Sequence, residues 1–312
     1  MRIAIVGVGA VGGYFGGRLA QAGADVRFLA RGETLEAMRS RGLRVRSIEG
    51  DFEVASPSAF ATPEEMGPAD LVVLAVKATQ VRSIAPSLAP LVGPKTTILP
   101  LQNGLDTPTV LREFYPPEKI IGGLSKIFAA RVEPATIEHM GLSPSIELGE
   151  WDNRSSDRVR AILDTFGAAE GMTTINPPQI DVAIWEKVLY VEPLGLVGAA
   201  VREPIGVVRT IPESRDLLHA AMREVVELGI ARGVPLDADL ADRAAERIDQ
   251  LNPAQTASMH RDLVEGRPSE LEAQSAPIVL YAKEAGVSVP VHAALYAALR
   301  PADLRAHGLI RD

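Results

Sequence analysis

The sequence predicts an α/β protein with an N-terminal doubly wound, Rossmann-type parallel sheet and a C-terminal all-helical domain. Three observations lead there. Short β-branched apolar runs alternate with helical or loop segments through roughly the first 175 residues. A glycine-rich turn follows the first of those runs, and strand-like runs nearly vanish after Asn176-Pro177-Pro178. The double proline is read as the boundary, giving a sheet domain over 1–177 and a helical domain over 178–312. The length, 312 residues, suits about two domains.

In chain order, strands are expected at 2–6, 25–29, 71–76, 97–100 and 119–123, with weaker signals at 136–138 and 146–148. Near-continuous apolar strands separated by helices imply a parallel sheet buried on both faces. In the helical half, Thr210 and Glu213 form a capping-box pattern around Pro212. Leu217, Ala221, Val225 and Leu228 then recur at helical spacing until Gly233. Asp237 is expected to cap a helix running toward Leu251, Ser269 and Glu272 to form another capping box, and Pro290 to open a last helix toward Arg300.

Composition excludes several function classes. The 32 basic and 40 acidic residues leave a net charge of −8 with no basic run, which argues against nucleic acid and anionic membranes as partners. The chain has no cysteine, so disulfides, thiol nucleophiles and thiolate metal sites are ruled out, and a cytoplasmic location is expected. No apolar run approaches the roughly 18 residues of a membrane span. His139, His219, His260, His292 and His307 lack metal-ligand spacing and read as structural or surface residues, and Trp185 reads as core. No metal is expected.

Gly7-Val8-Gly9-Ala10-Val11-Gly12 follows an expected strand and opens an expected helix, the context in which this pattern binds a dinucleotide. Gly7 permits the tight turn, Gly9 lets backbone approach a pyrophosphate, and Gly12 lets helix and strand pack closely. The helix N-terminus adds amide donors and a favourable dipole. An NAD site calls for a carboxylate about 20 residues further on, but the second strand ends at Arg31. A guanidinium there suits the 2′-phosphate of NADP, the alternative being a solvated arginine with Glu33 nearby.

Six blocks in order now matter together: IVGVGAVGGYFGGRLAQAGADVRFLARG, LVVLAVKATQV, LQNGLD, IIGGLSKIFAA, WEKVLY and SMHRDLVEGRPSELE. Over residues 1 to about 300 the chain resembles the ketopantoate reductase (2-dehydropantoate 2-reductase) family. The resemblance implies a Rossmann domain, a helical domain, and a cleft binding NADPH and a small anionic 2-oxo acid. It implies a phosphate-binding role for Lys77, a place between cofactor and substrate for Asn103, and a backbone contact to the cofactor for Ala129. Lys187 matches the catalytic lysine, Ser258 a substrate-binding serine, and Glu270 the acid that reaches the cofactor ribose and the lysine. Alone, each is unremarkable: a lysine in WEK is ordinarily on the surface, and Asn-Gly is ordinarily a turn.

The chemistry suits these residue types. Hydride arriving at a C2 carbonyl builds negative charge on oxygen, which an ammonium stabilises and then protonates. The sequence also departs from the family. Asparagines that follow the lysine by four and eight residues, and one before a later glycine, are replaced by Val191, Gly195 and Ile205. Each unreplaced hydrogen bond to ketopantoate would cost about 1–3 kcal/mol. Pro193 is expected to bend or end the lysine helix, with Glu192 and Arg202 the side chains available to restore polarity.

The leading expectation is therefore reduction of 2-dehydropantoate to pantoate. Reduction of a different, less polar 2-oxo or 3-oxo acid and a catalytically silent NADP(H)-binding sensor or scaffold are the alternatives. A 3-hydroxyacid dehydrogenase shares the architecture, but the order of the six blocks opposes it. Self-pairing through the helical domain is left open between monomer and homodimer.

Overall fold

A computed structural model describes residues 1–310. The chain divides into two compact units, one formed by Met1–Gln102 with Thr107–Ile180, the other by Asn103–Asp106 with the chain from Asp181 onward.

The first unit runs β1 (Arg2–Val6), α1 (Ala10–Gln21), β2 (Asp25–Leu29), α2 (Gly32–Arg41), β3 (Leu43–Ser47), β4 (Phe52–Val54), β5 (Ser58–Phe60), α3 (Pro63–Met66), β6 (Ala69–Leu74) and α4 (Val81–Ile84). It continues with β7 (Val92–Pro100), α5 (Thr107–Arg112), β8 (Gly122–Glu133), β9 (Thr136–Gly149), α6 (Asp157–Gly167) and β10 (Thr173–Ile175). Its first sheet is wholly parallel in the order β5-β2-β1-β6-β7. Alternation along the strands buries both faces. Ile3, Ile5, Leu71, Val73 and Leu99 enter one core, while Ala4, Val6, Val72, Leu74 and Ile98 enter another.

A second sheet departs from the sequence reading. Residues 119–123 were expected as a further parallel strand; Ile120 does bridge Ile98 of β7 in parallel, but only as an isolated bridge, and β8 starts at Gly122 and forms a long antiparallel ribbon with β9. The weak signals at 136–138 and 146–148 are the two ends of β9, which also pairs in parallel with β3 and β10. β3 in turn carries β4 antiparallel.

The second unit contains α7 (Ile180–Val201, from its second residue), α8 (Ile205–Val208), α9 (Pro212–Ala231), α10 (Leu240–Ile248), α11 (Ser258–Val264), α12 (Leu271–Gln274), α13 (Ala276–Ala285) and α14 (Pro290–Ala306). Trp185, Val188, Leu189, Leu218, Met222, Val225 and Ile278 share its main core. Pro193 does not end α7, which continues eight residues past it to Val201.

The caps differ from expectation. Thr210 Oγ1 donates to the Val207 carbonyl, so α9 starts behind Ile211 without a side-chain cap. Asp237 pairs with Arg243, and Asp239 occupies the cap position of α10. Ser269 Oγ accepts from the Leu271 amide at 3.1 Å rather than from that of Glu272, and the Glu272 carboxylate accepts from Tyr296 at 2.6 Å, so that capping box does not form and Glu270 is the N-cap residue of α12. No described helix is long and apolar enough to cross a membrane.

Candidate active site

In the first unit the glycine turn has the shape a dinucleotide requires. Gly7 has φ +99°, and a Cβ there would lie 2.8 Å from the backbone nitrogen of Val76. A Cβ on Gly12 would lie 2.0 Å from the Gly7 carbonyl oxygen, whereas one on Gly9 would meet nothing within 4 Å. That open space is where backbone can approach a pyrophosphate. Gly9 is the N-cap of α1 without a side-chain cap, and the helix's first bond runs from the Gly13 amide to the Gly9 carbonyl at 2.8 Å. The amides of Ala10, Val11 and Gly12 precede that bond at the positive end of the helix dipole. These residues fit a dinucleotide.

Arg31 is exposed at the N-cap of α2, directly after β2. Lys77 is exposed just beyond β6, ahead of a 3-10 turn at Ala78–Gln80. Ala129 lies on β8 opposite His139. Sequence reasoning passed over Gln102, whose Nε2 donates to the carbonyls of Leu74 at 2.8 Å and Val76 at 3.1 Å. It thereby holds the segment leading into Lys77, and its place beside Asn103 in LQNGLD was the only signal for it.

Asn103, Lys187, Ser258 and Glu270 all belong to the second unit. The Asn103–Asp106 turn is seated there by two contacts. Gly104, at φ +88°, comes so close to α12 that a Cβ would lie 2.8 Å from the Ala273 carbonyl oxygen, and Asp106 accepts from the Tyr281 hydroxyl at 2.8 Å. Glu270 is the N-cap residue of α12, and its carboxylate accepts from Gln274 Nε2 at 3.3 Å. The Asn-Gly turn and Glu270 therefore meet the same single-turn helix from its two sides in sequence.

Ser258 is brought to the lysine helix by small residues. A Cβ on Gly195 would lie 2.8 Å from Met259 Cε, and one on Gly198 would lie 2.7 Å from His260 Nδ1. α11 therefore packs directly against α7, with exposed Ser258 as its first residue. Burial, reinforced by Arg261, pushes the His260 imidazole below its ordinary pKa against the opposing pull of Glu203. Lys187 lies partly buried on α7, two turns before Gly195.

The three positions at which the resemblance calls for asparagines are apolar or filled. Val191 is half-buried, Gly195 is covered by Met259, and Ile205 is buried in the main core of the unit. Neither expected substitute takes their place. Glu192 is buried and accepts from Ser275 Oγ at 2.5 Å, with His292 Nε2 at 2.8 Å from its other oxygen. Arg202 instead reaches the Val264 carbonyl at 3.4 Å.

The family model "Ketopantoate reductase PanE/ApbA" matches residues 3–153, and its C-terminal counterpart matches residues 179–303. The solved 2-dehydropantoate 2-reductase of Geobacter metallireducens is 33% identical with a TM-score of 0.90, over 97% of this chain and 100% of that one. The 2-dehydropantoate 2-reductase of Halobacterium salinarum is 30% identical over 93% of this chain and 95% of its own. An uncharacterized oxidoreductase of Bacillus subtilis, YkpB, is 27% identical over 96% of this chain and 98% of its own. The chain belongs to the ketopantoate reductase family, and is accordingly an oxidoreductase acting on CH-OH groups with NADPH as its cofactor.

Proposed function

We propose that the protein reduces a 2-oxo acid to the corresponding 2-hydroxy acid, with 2-dehydropantoate as the default substrate. The observation that carries this reading is the assembly of Asn103, Lys187, Ser258 and Glu270 on one unit, with Asn103 and Glu270 on elements that flank α12. When bound, NADPH supplies the hydride. Gly7 to Gly12 hold its pyrophosphate through helix amides, Arg31 the 2′-phosphate and Lys77 the neighbouring phosphate charge. Ala129 offers backbone and Glu270 a carboxylate to the ribose. Lys187 Nζ donates the proton that the C2 oxygen takes up as it gains negative charge, so ketone, hydride and proton balance to a secondary alcohol. Asn103 and Ser258 orient the substrate.

A second reading, a less polar 2-oxo acid, is favoured by the surroundings of α7. Val191, the Gly195–Met259 contact and the buried Ile205 offer no polar side chain there. NADPH oxidation measured with ketopantoate beside bulkier, less polar 2-oxo acids decides between them. Saturable turnover of ketopantoate upholds the default, and preference for the apolar acids upholds the second. Tight NADPH binding without turnover of any acid would leave a silent NADP(H)-binding protein.

Arg31 carries the cofactor preference. Arg31→Ala is expected to weaken NADPH binding by about 10–100-fold, the effect of losing a charge-assisted bond to phosphate, and to leave NADH binding unchanged. Fluorescence titration with both cofactors checks this, and an equal effect on both would make Arg31 a solvated strand-end residue.

A further inference from the structure

We propose that His292 is a positioning residue for the reaction: held between Glu192 of α7 and Glu224 of α9, it braces α7 across Pro193 and so fixes where Lys187 presents its ammonium group. The catalytic consequence rests on the reading of Lys187 as the proton donor.

The need for a brace follows from Pro193. Proline has no amide hydrogen, so the Leu189 carbonyl lacks its usual donor four residues on, and the ring crowds that carbonyl. A helix interrupted in this way normally kinks or stops, yet α7 runs on to Val201. The residue immediately before the interruption, Glu192, is tied through both of its carboxylate oxygens. One of its oxygens accepts from Ser275 Oγ at 2.5 Å, just ahead of α13, and the other lies 2.8 Å from His292 Nε2. The opposite ring nitrogen, Nδ1, lies 2.6 Å from Glu224 Oε2. Glu224 also accepts from the backbone amides of Val291 at 2.7 Å and His292 at 3.0 Å, in the first turn of α14.

Four helices thus converge on one buried imidazole, through Glu192 from α7, Glu224 from α9, His292 from α14 and Ser275 from the start of α13. The charged groups facing the ring are those two carboxylates. With a carboxylate on each side, both ring nitrogens serve as donors, which requires the imidazolium form. Lys187 lies five residues before Glu192 on the same helix, ahead of the interruption. A change of angle at Leu189–Pro193 therefore moves Lys187 relative to Ser258, whose helix packs on the far side of that interruption at Gly195 and Gly198. Displacements of this kind are costly in catalysis because a reacting group tolerates little misplacement.

The test uses the full chain with two variants and two readouts. His292→Gln keeps a neutral side chain with one amide donor end, able to bond one glutamate but not both, and Ser275→Ala trims one tie to Glu192 without removing the imidazole. The first readout is steady-state reduction of the preferred 2-oxo acid. The second is the pH dependence of labelling of Lys187 by an amine-reactive reagent, followed by mass spectrometry, which requires no turnover.

At a temperature well below unfolding, His292→Gln should lower kcat by about tenfold and Ser275→Ala by less, with NADPH affinity unchanged. The Lys187 labelling profile should shift in the same order. Wild-type kcat and an unshifted labelling profile in both variants would overturn the proposal, even if the melting temperature fell. If the wild-type protein reduces no 2-oxo acid, the functional reading fails by itself, and the labelling profiles still decide whether His292 positions Lys187.

Discussion

Lys187→Ala is expected to lower kcat by about 10²–10⁴-fold, the range over which a positioned general acid contributes, while NADPH binds as before. The separation follows from where the parts lie. The glycine turn, Arg31 and Lys77 belong to the first unit, and Lys187 belongs to the second. Removing an ammonium from α7 leaves the α1 amides untouched. Stopped-flow and titration data give the two quantities separately. A fall in NADPH affinity matching the fall in kcat would assign Lys187 to cofactor binding rather than to proton transfer, and an unchanged kcat would remove it from the chemistry. Lys187→Arg should recover little, because guanidinium keeps its proton too firmly to donate it near neutral pH.

Raising pH above 6.5 is expected to destabilise the protein through His292. Burial pushes its imidazole pKa down, but Glu192, by charge and hydrogen bond, and then Glu224 outweigh burial and raise it from 6.5 to about 9. The folded state therefore keeps a proton that the unfolded chain releases near 6.5. The stabilisation is fully present below 6.5, declines as pH rises from there, and is lost once pH passes about 9. A displacement of that size corresponds to about 3 kcal/mol, a large fraction of the stability of an ordinary domain. Urea unfolding at pH 6.5, 8 and 9.5 reads the loss directly, and His292→Gln should flatten the dependence while lowering stability at pH 6.5. An unfolding midpoint equally pH-dependent in the variant would place the effect elsewhere.

The parts of the fold legible in the sequence are those with a local cause. β1, α1 and β2 are announced by apolar runs around a glycine turn, and the helical half by proline starts and regular apolar spacing. The β8–β9 ribbon is different. Its outer end is exposed even where it carries Val132, Met140 and Leu142, so those residues mark no core, and β9 contains Gly141 and Pro144, which read locally as turn residues. Pairing with β8 overrides that local preference.

The same contrast runs through the site. The glycines, Arg31 and Lys187 stand in recognisable segments, but the fate of Glu192 depends on residues 83 and 100 positions away. From sequence it is an acidic residue near a substrate position, and in the structure its oxygens are committed to Ser275 and His292. Gln102 was obscure for a related reason: its importance lies in the carbonyls of Leu74, the last residue of β6, and of Val76 just beyond it, a segment that sequence places separately.

The short excursion of Asn103–Asp106 into the second unit has a consequence for biosynthesis. Asp106 accepts from Tyr281, 175 residues further along the chain, and Gly104 rests on Ala273. At about 5–20 residues per second, roughly 10–35 s separate the emergence of that turn from the arrival of its seat. During translation β1, α1 and the Ala75–Val76 segment against which the glycine turn packs have all emerged before Asn103, which then hangs on an unseated connection between β7 and α5. A nascent chain can therefore acquire its dinucleotide-binding turn well before the residue next to Gly104 has anything to hold it in place.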